Sequence, residues 1–242
     1  KWWQTNEKAE NLNNLPVGYY EQLLGGKNLD WIRCYAEGKF TYVQEGRPVT
    51  PEFDDSSMTE DCEILDGVPV QIGLDFGLTP AAVFAQRDHK GVWRVIHEIV
   101  TYDMGLERFA ILLKEDINRF FPKNDIVVFG DPAGSQRSTL NEDTSFDHLK
   151  THGIIATNNF KTRREALAMP MTRLIDGKPG FRIDRKCVRL RKSLAGGYHF
   201  KRVAIGAGQE RFKDTPNQNE HSHIGDAAQY CLLGSEYRTI TR

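Results

Sequence analysis

The hydrophobic pattern becomes regular from residue 70 onward, where three strand-like runs follow one another closely. They occupy residues 70–76, 81–86 and 92–100 and are rich in the apolar and β-branched residues that favour strands. The turns between them are only a few residues long. The pattern therefore predicts an antiparallel meander, because parallel neighbours would need much longer connections.

The period then changes to that of a helix. Apolar residues recur every three or four positions from Leu106 to Phe120, as in an amphipathic helix, and Pro122 ends the pattern. The continuous apolar run DIVVFGD at residues 125–131 predicts a strand buried on both faces. Four later elements are predicted: a helix at 146–152, a strand at 154–156, a helix at 162–175 that is kinked or restarted at Pro170, and a helix at 224–236.

This order of elements predicts an α/β fold. Its sheet is expected to be mixed, with an antiparallel three-strand meander followed by parallel strands, and to be flanked by helices. The order is that of the ribonuclease H-like fold, in which the strand after the first helix lies parallel beside the first strand. The end of the strand at 125–131 should therefore lie next to Asp75.

The first 65 residues show weak periodicity and many turn residues. They are predicted to be a connecting segment, with a short helix near Tyr19–Leu24 and a β-hairpin near Phe40–Pro48. Residues 66–242 are predicted to form the main domain. Because the chain begins with a lysine rather than a methionine, we expect it to be a fragment of something longer.

Composition narrows the class of protein. Of the 242 residues, 39% are hydrophobic and 27% charged, which is typical of a soluble globular protein, and no apolar run approaches the length of a membrane span. We therefore expect no membrane partner. The four cysteines (Cys34, Cys62, Cys187, Cys231) are widely spaced and form no CxxC pair, which argues against a zinc site and favours reduced thiols in a cytosolic compartment.

The formal net charge of −1 conceals a strong asymmetry. Residues 161–213 contain 15 Lys and Arg against 4 Asp and Glu, a net charge of +11, so the remainder carries −12. A block of this density is often a solvated face, but its charge favours a polyanionic partner, and we expect double-stranded DNA. The candidate DNA-binding residues are Lys161, Arg163, Arg164, Lys201 and Arg202, although the first three could equally form the solvated start of a helix.

Three aspartates occupy the ends of predicted elements. Asp75 lies near the end of the first strand, Asp131 at the end of the strand at 125–131, and Asp226 at the start of the last helix. Each alone could simply cap a turn or a helix. Together, at termini that the predicted topology brings close, they would repel one another unless a cation lay between them. Hard divalent ions with oxygen ligands, Mg²⁺ or Mn²⁺, are the natural partners, and we expect two of them.

Such a site implies a hydrolytic mechanism. Two divalent ions about 3.5–4 Å apart stabilise both the attacking and the leaving oxygens of a phosphodiester. One ion lowers the pKa of a bound water, so that no serine or cysteine nucleophile is needed. The sequence thus predicts a metal-dependent endonuclease with Asp75, Asp131 and Asp226 as catalytic and metal-binding residues. His223, three residues before Asp226, is a further candidate metal ligand, with a surface histidine next to His221 as the alternative.

Three motifs resemble a known family, the C-terminal nuclease domain of the large terminase subunit of headful-packaging tailed bacteriophages. They are IGLDFGLTPAAVF, VVFGDPAGSQRS and HSHIGDAAQYCLLG, and LPVGYYEQLL with GRPVTPEFD also resembles the segment that joins the packaging ATPase to the nuclease. The resemblance implies an enzyme that cuts concatemeric viral DNA to begin and end packaging. Asp75, Asp131 and Asp226 fall on the family's three metal-binding acids, and His223 falls where some members carry a metal-proximal histidine.

The resemblance also implies partners and a location. In that family the portal protein and the small terminase subunit are partners, and the protein works in the cytoplasm of the host cell. The full-length protein has an N-terminal packaging ATPase, but LLGGKNLD lacks the GxxxxGK[ST] pattern of a phosphate-binding loop. We therefore expect this fragment not to bind ATP.

Two other functions remain open on sequence grounds. LDFGLT resembles the first phosphate loop of actin and sugar-kinase ATPases, although GDPAGSQ is a poor second loop and 242 residues leave no room for a duplicated domain. A non-catalytic DNA-binding module would explain the basic block but not three acids at converging termini. Dependence of DNA cutting on a divalent metal would separate these three possibilities.

Overall fold

A seven-stranded mixed sheet organises the part of the chain that the computed structural model describes, which is residues 46–76, 79–135, 144–158, 164–203 and 211–240. The elements in chain order are β1 (Gly46–Pro48), α1 (Asp55–Met58), β2 (Thr59–Glu60), β3 (Val70–Asp75), β4 (Ala81–Arg87), β5 (Trp93–Val100), α2 (Leu106–Phe120), β6 (Ile126–Gly130), a 3₁₀ turn (Pro132–Ser135), α3 (Ser145–Thr151), β7 (Ala156–Asn158), α4 (Glu165–Thr172), β8 (Leu174–Ile175), β9 (Lys178–Pro179), β10 (Phe181–Asp184), α5 (Val188–Lys192), a π-helical turn (Ser193–Gly197), β11 (His199–Val203), β12 (Arg211–Phe212) and α6 (Ser222–Ile240).

The strand order in the main sheet is β2-β10-β5-β4-β3-β6-β7. β3, β4 and β5 form the predicted antiparallel meander, and β6 pairs in parallel with β3 after the helical crossover through α2. β7 continues the sheet in parallel beyond β6. The predicted fold class is therefore confirmed: the sheet is mixed, helices flank it, and the order from β5 to β7 is that of the ribonuclease H-like fold.

Alternation along β3 assigns its residues to two faces of the sheet. Val70, Ile72 and Leu74 are fully buried against the side where α2 packs. Phe109, Leu113 and other buried residues of the α2 stripe close that core, as the helical period predicts. Gln71, Gly73 and Asp75 alternate onto the opposite face, where α6 lies.

Gly73 allows α6 to cross β3 at backbone contact. A Cβ atom at Gly73 would overlap the Ala227 carbonyl oxygen and the Cys231 backbone nitrogen, so any larger residue would force the helix away from the strand. α6 contacts β3, β4 and β6 across this face of the sheet. The close crossing brings the first turn of the helix, which contains Asp226, to the carboxyl end of β3.

Several predicted boundaries shift by a few residues. The short strand lies at 156–158, the helix containing Pro170 spans Glu165–Thr172, and the last helix extends over Ser222–Ile240. The apolar run at 125–131 is a strand whose last three residues are buried and whose first two are only half-buried. Within the described ranges, none of the helices has both the length and the apolar content needed to cross a bilayer.

The predicted connecting segment is described only from residue 46. The helix predicted near Tyr19–Leu24 lies outside the described residues, as does most of the hairpin predicted near Phe40–Pro48. The last three residues of that hairpin form β1, which pairs antiparallel with β11 in a small sheet completed by β12. In this sheet the Arg47 guanidinium lies over the rings of Phe200 and Phe212, at 4.7 and 5.6 Å from their centres.

Candidate active site

Asp75 is the last residue of β3 and one of the few buried acids of the fold, with 7% of its surface exposed. Its position follows from the strand alternation, which turns it to the α6 side. Burial raises the pKa of Asp75 and the nearby charge of Asp131 adds to the rise, while a hydrogen bond from His223 opposes it. A carboxylate in this place therefore needs a cation or hydrogen-bond donors around it.

Asp131 follows β6 directly and lies beside the end of β3. Its backbone nitrogen donates to the Leu74 carbonyl at 3.1 Å, which extends the parallel pairing of β3 and β6 by one residue. The Asp131 carbonyl then accepts from Gly134 at 2.9 Å as the 3₁₀ turn begins. The strand register thus holds Asp131 next to Asp75, as the topology predicts.

Asp226 lies in the first turn and a half of α6. The hydroxyl of Tyr198 donates to its two oxygens at 3.1 and 3.4 Å, and Gln229 Nε2 donates to Oδ1 at 3.1 Å. Burial and the charge of Asp75 raise the pKa of Asp226 to about 7, and Asp131 contributes in the same direction. The structure therefore brings Asp75, Asp131 and Asp226 close enough for their charges to interact, as the sequence predicts.

His223 joins this cluster through Asp75. Its Nδ1 lies 2.8 Å from Asp75 Oδ2, and this hydrogen bond raises the pKa of His223 above its ordinary value. His221, the neighbour considered as its surface counterpart, makes different contacts: its carbonyl accepts from the Ser193 hydroxyl at 2.8 Å, and its ring lies against Gly197. The two histidines are thus structurally distinct.

The chemistry of the donor set fits a divalent cation. It consists of three interacting carboxylates and an imidazole, and the raised pKa values show that a nearby positive charge would stabilise the ionised acids. Among the described residues, however, no group of three or more His, Cys, Asp and Glu side chains is already placed to hold one ion. Since hydrogen bonds among the side chains take up several of the carboxylate oxygens, metal binding would require these side chains to turn.

Three residues of the site were missed in the sequence. Tyr198 precedes β11, and its ring can pack against α6 because residue 225 is glycine: a Cβ there would lie 2.8 Å from the ring. Gln229 and Tyr230 follow Asp226 by three and four positions on the helix, so they lie on the same face as that acid. This spacing is a signal that sequence reasoning could have used. Tyr230 hydrogen-bonds Asp131, and its pKa is raised by burial first and by Asp131 second.

The candidate DNA-binding residues lie in different surroundings. Lys201 and Arg202 are exposed on β11, the strand that begins immediately after Tyr198. Arg164, just before α4, forms an ion pair with Glu52. Lys161 and Arg163 lie outside the described residues.

No protein-family model matches the chain, and no curated protein sequence matches it. Solved structures do resemble it. A full-length large terminase from a thermophilic bacteriophage is similar with a TM-score of 0.58 and 14% identity, over 90% of this chain and 52% of that chain. The P22 large terminase nuclease domain is similar with a TM-score of 0.58 and 14% identity, over 82% of this chain and 100% of that chain. The large terminase nuclease from the thermophilic phage G20c gives a TM-score of 0.48 and 14% identity, over 78% and 98%.

The chain spans about half the length of the first of these large terminases and, over most of its own length, matches the complete P22 nuclease domain. The resemblance predicted from the three sequence motifs is therefore confirmed at the level of the fold. This chain has the fold of large terminase nuclease domains.

Proposed function

We propose that this chain is a metal-dependent endonuclease that cleaves double-stranded DNA, and that its substrate is concatemeric viral DNA during genome packaging. The observation that carries the proposal is the convergence of Asp75, Asp131 and Asp226 from β3, the end of β6 and α6. The fold shared with large terminase nuclease domains supports the choice of reaction and substrate.

Asp75, Asp131 and Asp226 would hold divalent ions, Mg²⁺ or Mn²⁺, through their carboxylate oxygens. When bound, two such ions would activate a water and stabilise the attacking and leaving oxygens of the phosphodiester. His223 is the candidate for an additional ligand. Its Nδ1 is committed to Asp75, and its Nε2 has no hydrogen-bond partner in the described part of the chain.

The remaining side chains of the site orient the acids. His223 holds one oxygen of Asp75, while Tyr198 and Gln229 hold Asp226. Each donor restricts the rotation of a carboxylate about its last torsion, so that its remaining lone pairs point in a defined direction. Because these donors come from α6 and from the turn before β11, the orientation depends on the close crossing of α6 over β3.

The DNA backbone would lie along the basic surface in front of the acids. Lys201 and Arg202 are well placed for phosphate contacts, because β11 leads away from Tyr198, which touches Asp226. Arg164 would contribute only if it left Glu52. The proposal retains Lys161 and Arg163 from the basic block on grounds of charge alone.

Two further parts of the proposal rest on the resemblance of the sequence motifs. The chain would act beside a packaging ATPase, with the portal protein and the small terminase subunit as partners. Its place of action would be the cytoplasm of an infected host cell.

The test is a plasmid-cutting assay with the chain in Mg²⁺ or Mn²⁺, with EDTA as the metal-free control. Asp75→Asn, Asp131→Asn and Asp226→Asn should each reduce cutting to background, because an amide replaces an anionic ligand at similar size. Asp61→Asn is the matched control, since that carboxylate is exposed and pairs only with Arg185 at the surface. Calorimetric titration with Mn²⁺ should show binding to the wild type and weaker binding to the three variants.

Other outcomes would point elsewhere. If two of the three variants cut plasmid at nearly the wild-type rate, the site is misassigned. Binding of nucleotide without cutting would support a kinase-like ATPase. DNA binding that is indifferent to metal, again without cutting, would support a non-catalytic module.

A further inference from the structure

A cavity of about 290 Å³ opens at the end of the sheet opposite the three aspartates. β4 starts at Ala81, which pairs with Asp75, and ends at Arg87, which lines the cavity. At about 3.3 Å per residue, the strand separates the two sites by about 20 Å. The cavity is therefore distinct from the candidate active site.

Three elements build its walls. Trp93 begins β5 and donates its backbone N–H to Gly180, and Gly180 in turn donates to the Arg173 carbonyl at the end of α4. An ion pair of 2.6 Å between Lys90 and Asp176 ties the β4–β5 turn to the β8–β9 turn beside the cavity. These bonds hold the walls together without any ligand, so the cavity is preformed.

The lining is apolar with two cationic groups. Trp93, Met169, Pro170 and Ile175 supply the apolar surface, together with the side of Arg87, whose guanidinium lies 5.9 Å from the centre of the Trp93 ring. Arg173 also lines the cavity. Within the described ranges neither arginine forms an ion pair with a carboxylate.

The apolar surface continues beyond the opening. Met169 is 58% exposed and Leu174, next to Ile175, is 66% exposed, values that are unusual for such large apolar side chains. The cavity itself is near the lower end of the range for small-molecule pockets, about 300–1,000 Å³. A single large side chain would fill most of it, and the exposed residues at its rim would then contact neighbouring residues of the same ligand.

We propose that this cavity is a docking site for an acidic peptide segment of a partner protein. The segment inserts one large apolar or aromatic side chain into the cavity and pairs flanking carboxylates with Arg87 and Arg173. Arginine, tryptophan and methionine are the residue types enriched at such interfaces. A DNA backbone fits less well, because it would place phosphates against a mostly apolar lining.

The test is a titration of the ¹⁵N-labelled chain, followed by NMR, with the acetylated and amidated peptide Asp-Glu-Phe-Glu-Asp. Signals from residues 87–93 and 169–180 should shift. The same peptide with Ala in place of Phe, and the peptide Lys-Lys-Phe-Lys-Lys, should cause little change. Arg173→Gln should weaken binding about five- to tenfold, as expected for loss of one charge pair at an interface.

Arg87→Gln should act in the same direction, but it also removes packing on Trp93, so Arg173→Gln is the cleaner variant. Lys150→Gln, an exposed cation on α3, is the control and should bind the acidic peptide as the wild type does. Plasmid cutting should be the same in all three variants, which separates this proposal from the proposed nuclease function.

Four results would overturn the proposal: no shift of the pocket signals, equal binding of the basic peptide, equal binding of the Ala peptide, or no effect of either arginine variant. Shifts of the same signals by a short DNA duplex in place of the peptide would assign the cavity to nucleic acid instead. Shifts that grow with protein concentration, with no peptide present, would assign it to a second copy of this chain.

Discussion

His223 Nδ1 and Asp75 Oδ2 lie 2.8 Å apart, and this hydrogen bond joins the first turn of α6 to the end of β3. With Asp75 ionised, Nδ1 carries the hydrogen, and a neutral ring then leaves Nε2 with a free lone pair. Histidine at this position therefore has two separable capacities. One nitrogen orients a carboxylate, and the other is available to a metal ion.

His223→Ala should lower plasmid cutting by about 10- to 100-fold, the usual cost of removing a residue that orients a metal ligand. The loss should be less complete than for Asp75→Asn. His223→Asn should retain most of the activity, because its amide nitrogen can occupy the place of Nδ1 and donate to Asp75. Initial cutting rates at saturating metal would measure both effects.

His89→Ala is the control, since His89 is exposed in the β4–β5 turn far from the acids. Equal losses for His223→Ala and His223→Asn would contradict an orienting role and point to Nε2 as the important atom. Equal and small effects for all three variants would show that His223 is an ordinary surface histidine.

Tyr198→Phe should reduce cutting by about tenfold or more while leaving the fold intact. The variant removes only the hydroxyl that donates to Asp226, and the ring keeps its packing against Gly225. Gln229 would still hold Asp226 Oδ1, so the loss should be partial. Cutting rates and the affinity for Mn²⁺ should fall together, with little change in melting temperature.

Tyr102→Phe provides the matched control, because that ring is exposed and lies under Arg189 away from the acids. A Tyr198→Phe enzyme that binds Mn²⁺ and cuts DNA as the wild type does would show that Asp226 needs no such restraint.

The meander, α2 and β6 could be predicted because their signals are local. Alternation in β3 and the three-to-four spacing in α2 each reflect burial of one face, and burial of one face is what determines period. The approach of Asp131 to Asp75 was also predictable, since it follows from the topology alone. The contact between the Asp131 nitrogen and the Leu74 carbonyl is its direct expression.

β10 and Tyr198 show why the rest could not be predicted. β10 contains Arg182 and Asp184, both buried, which hide the strand pattern. The Arg182 guanidinium donates to the carbonyls of Pro179 and Phe181, and Asp184 accepts from backbone nitrogens, so their polarity is satisfied only in the folded chain. Tyr198 reaches Asp226 across 28 residues of sequence, and no period or motif records that contact.

DNA binding should be mainly electrostatic and indifferent to sequence, because the basic block offers charge rather than a base-reading helix. If about five phosphates are contacted, log K should fall against log salt with a slope of roughly −4 to −5. Lys201→Gln and Arg202→Gln should each reduce that slope by about 1. Binding of a fluorescent duplex, measured with the Asp75→Asn variant to prevent cutting, would give the slopes.

Lys123→Gln is the control, because that lysine is exposed between α2 and β6 and pairs only with Asp66. A flat salt response in the wild type, or strong preference for one short duplex, would contradict electrostatic binding. Slopes that are unchanged in both β11 variants would move the DNA away from this strand.

Glu98 accepts hydrogen bonds at 2.8 Å from the backbone nitrogens of Arg189 and Leu190, and so caps α5 from β5. Cys187, which precedes α5, provides no side-chain cap of its own. Glu98→Ala should therefore lower the free energy of unfolding by about 1–2 kcal/mol, the cost of losing a cap. Chemical denaturation of the wild type and the variant would measure this difference.

The pH dependence of that difference has a definite sign. Burial raises the pKa of Glu98 above its ordinary value, although the two backbone hydrogen bonds oppose the rise. A carboxyl whose pKa is higher in the folded state stabilises the fold most when it is protonated, and this contribution is lost as the pH rises through the folded pKa. Because Glu98→Ala lacks this titration, the stability difference should narrow as the pH rises from about 4 to 7. A difference that widens over this range would mean that the hydrogen bonds to α5 outweigh the cost of burying the charge.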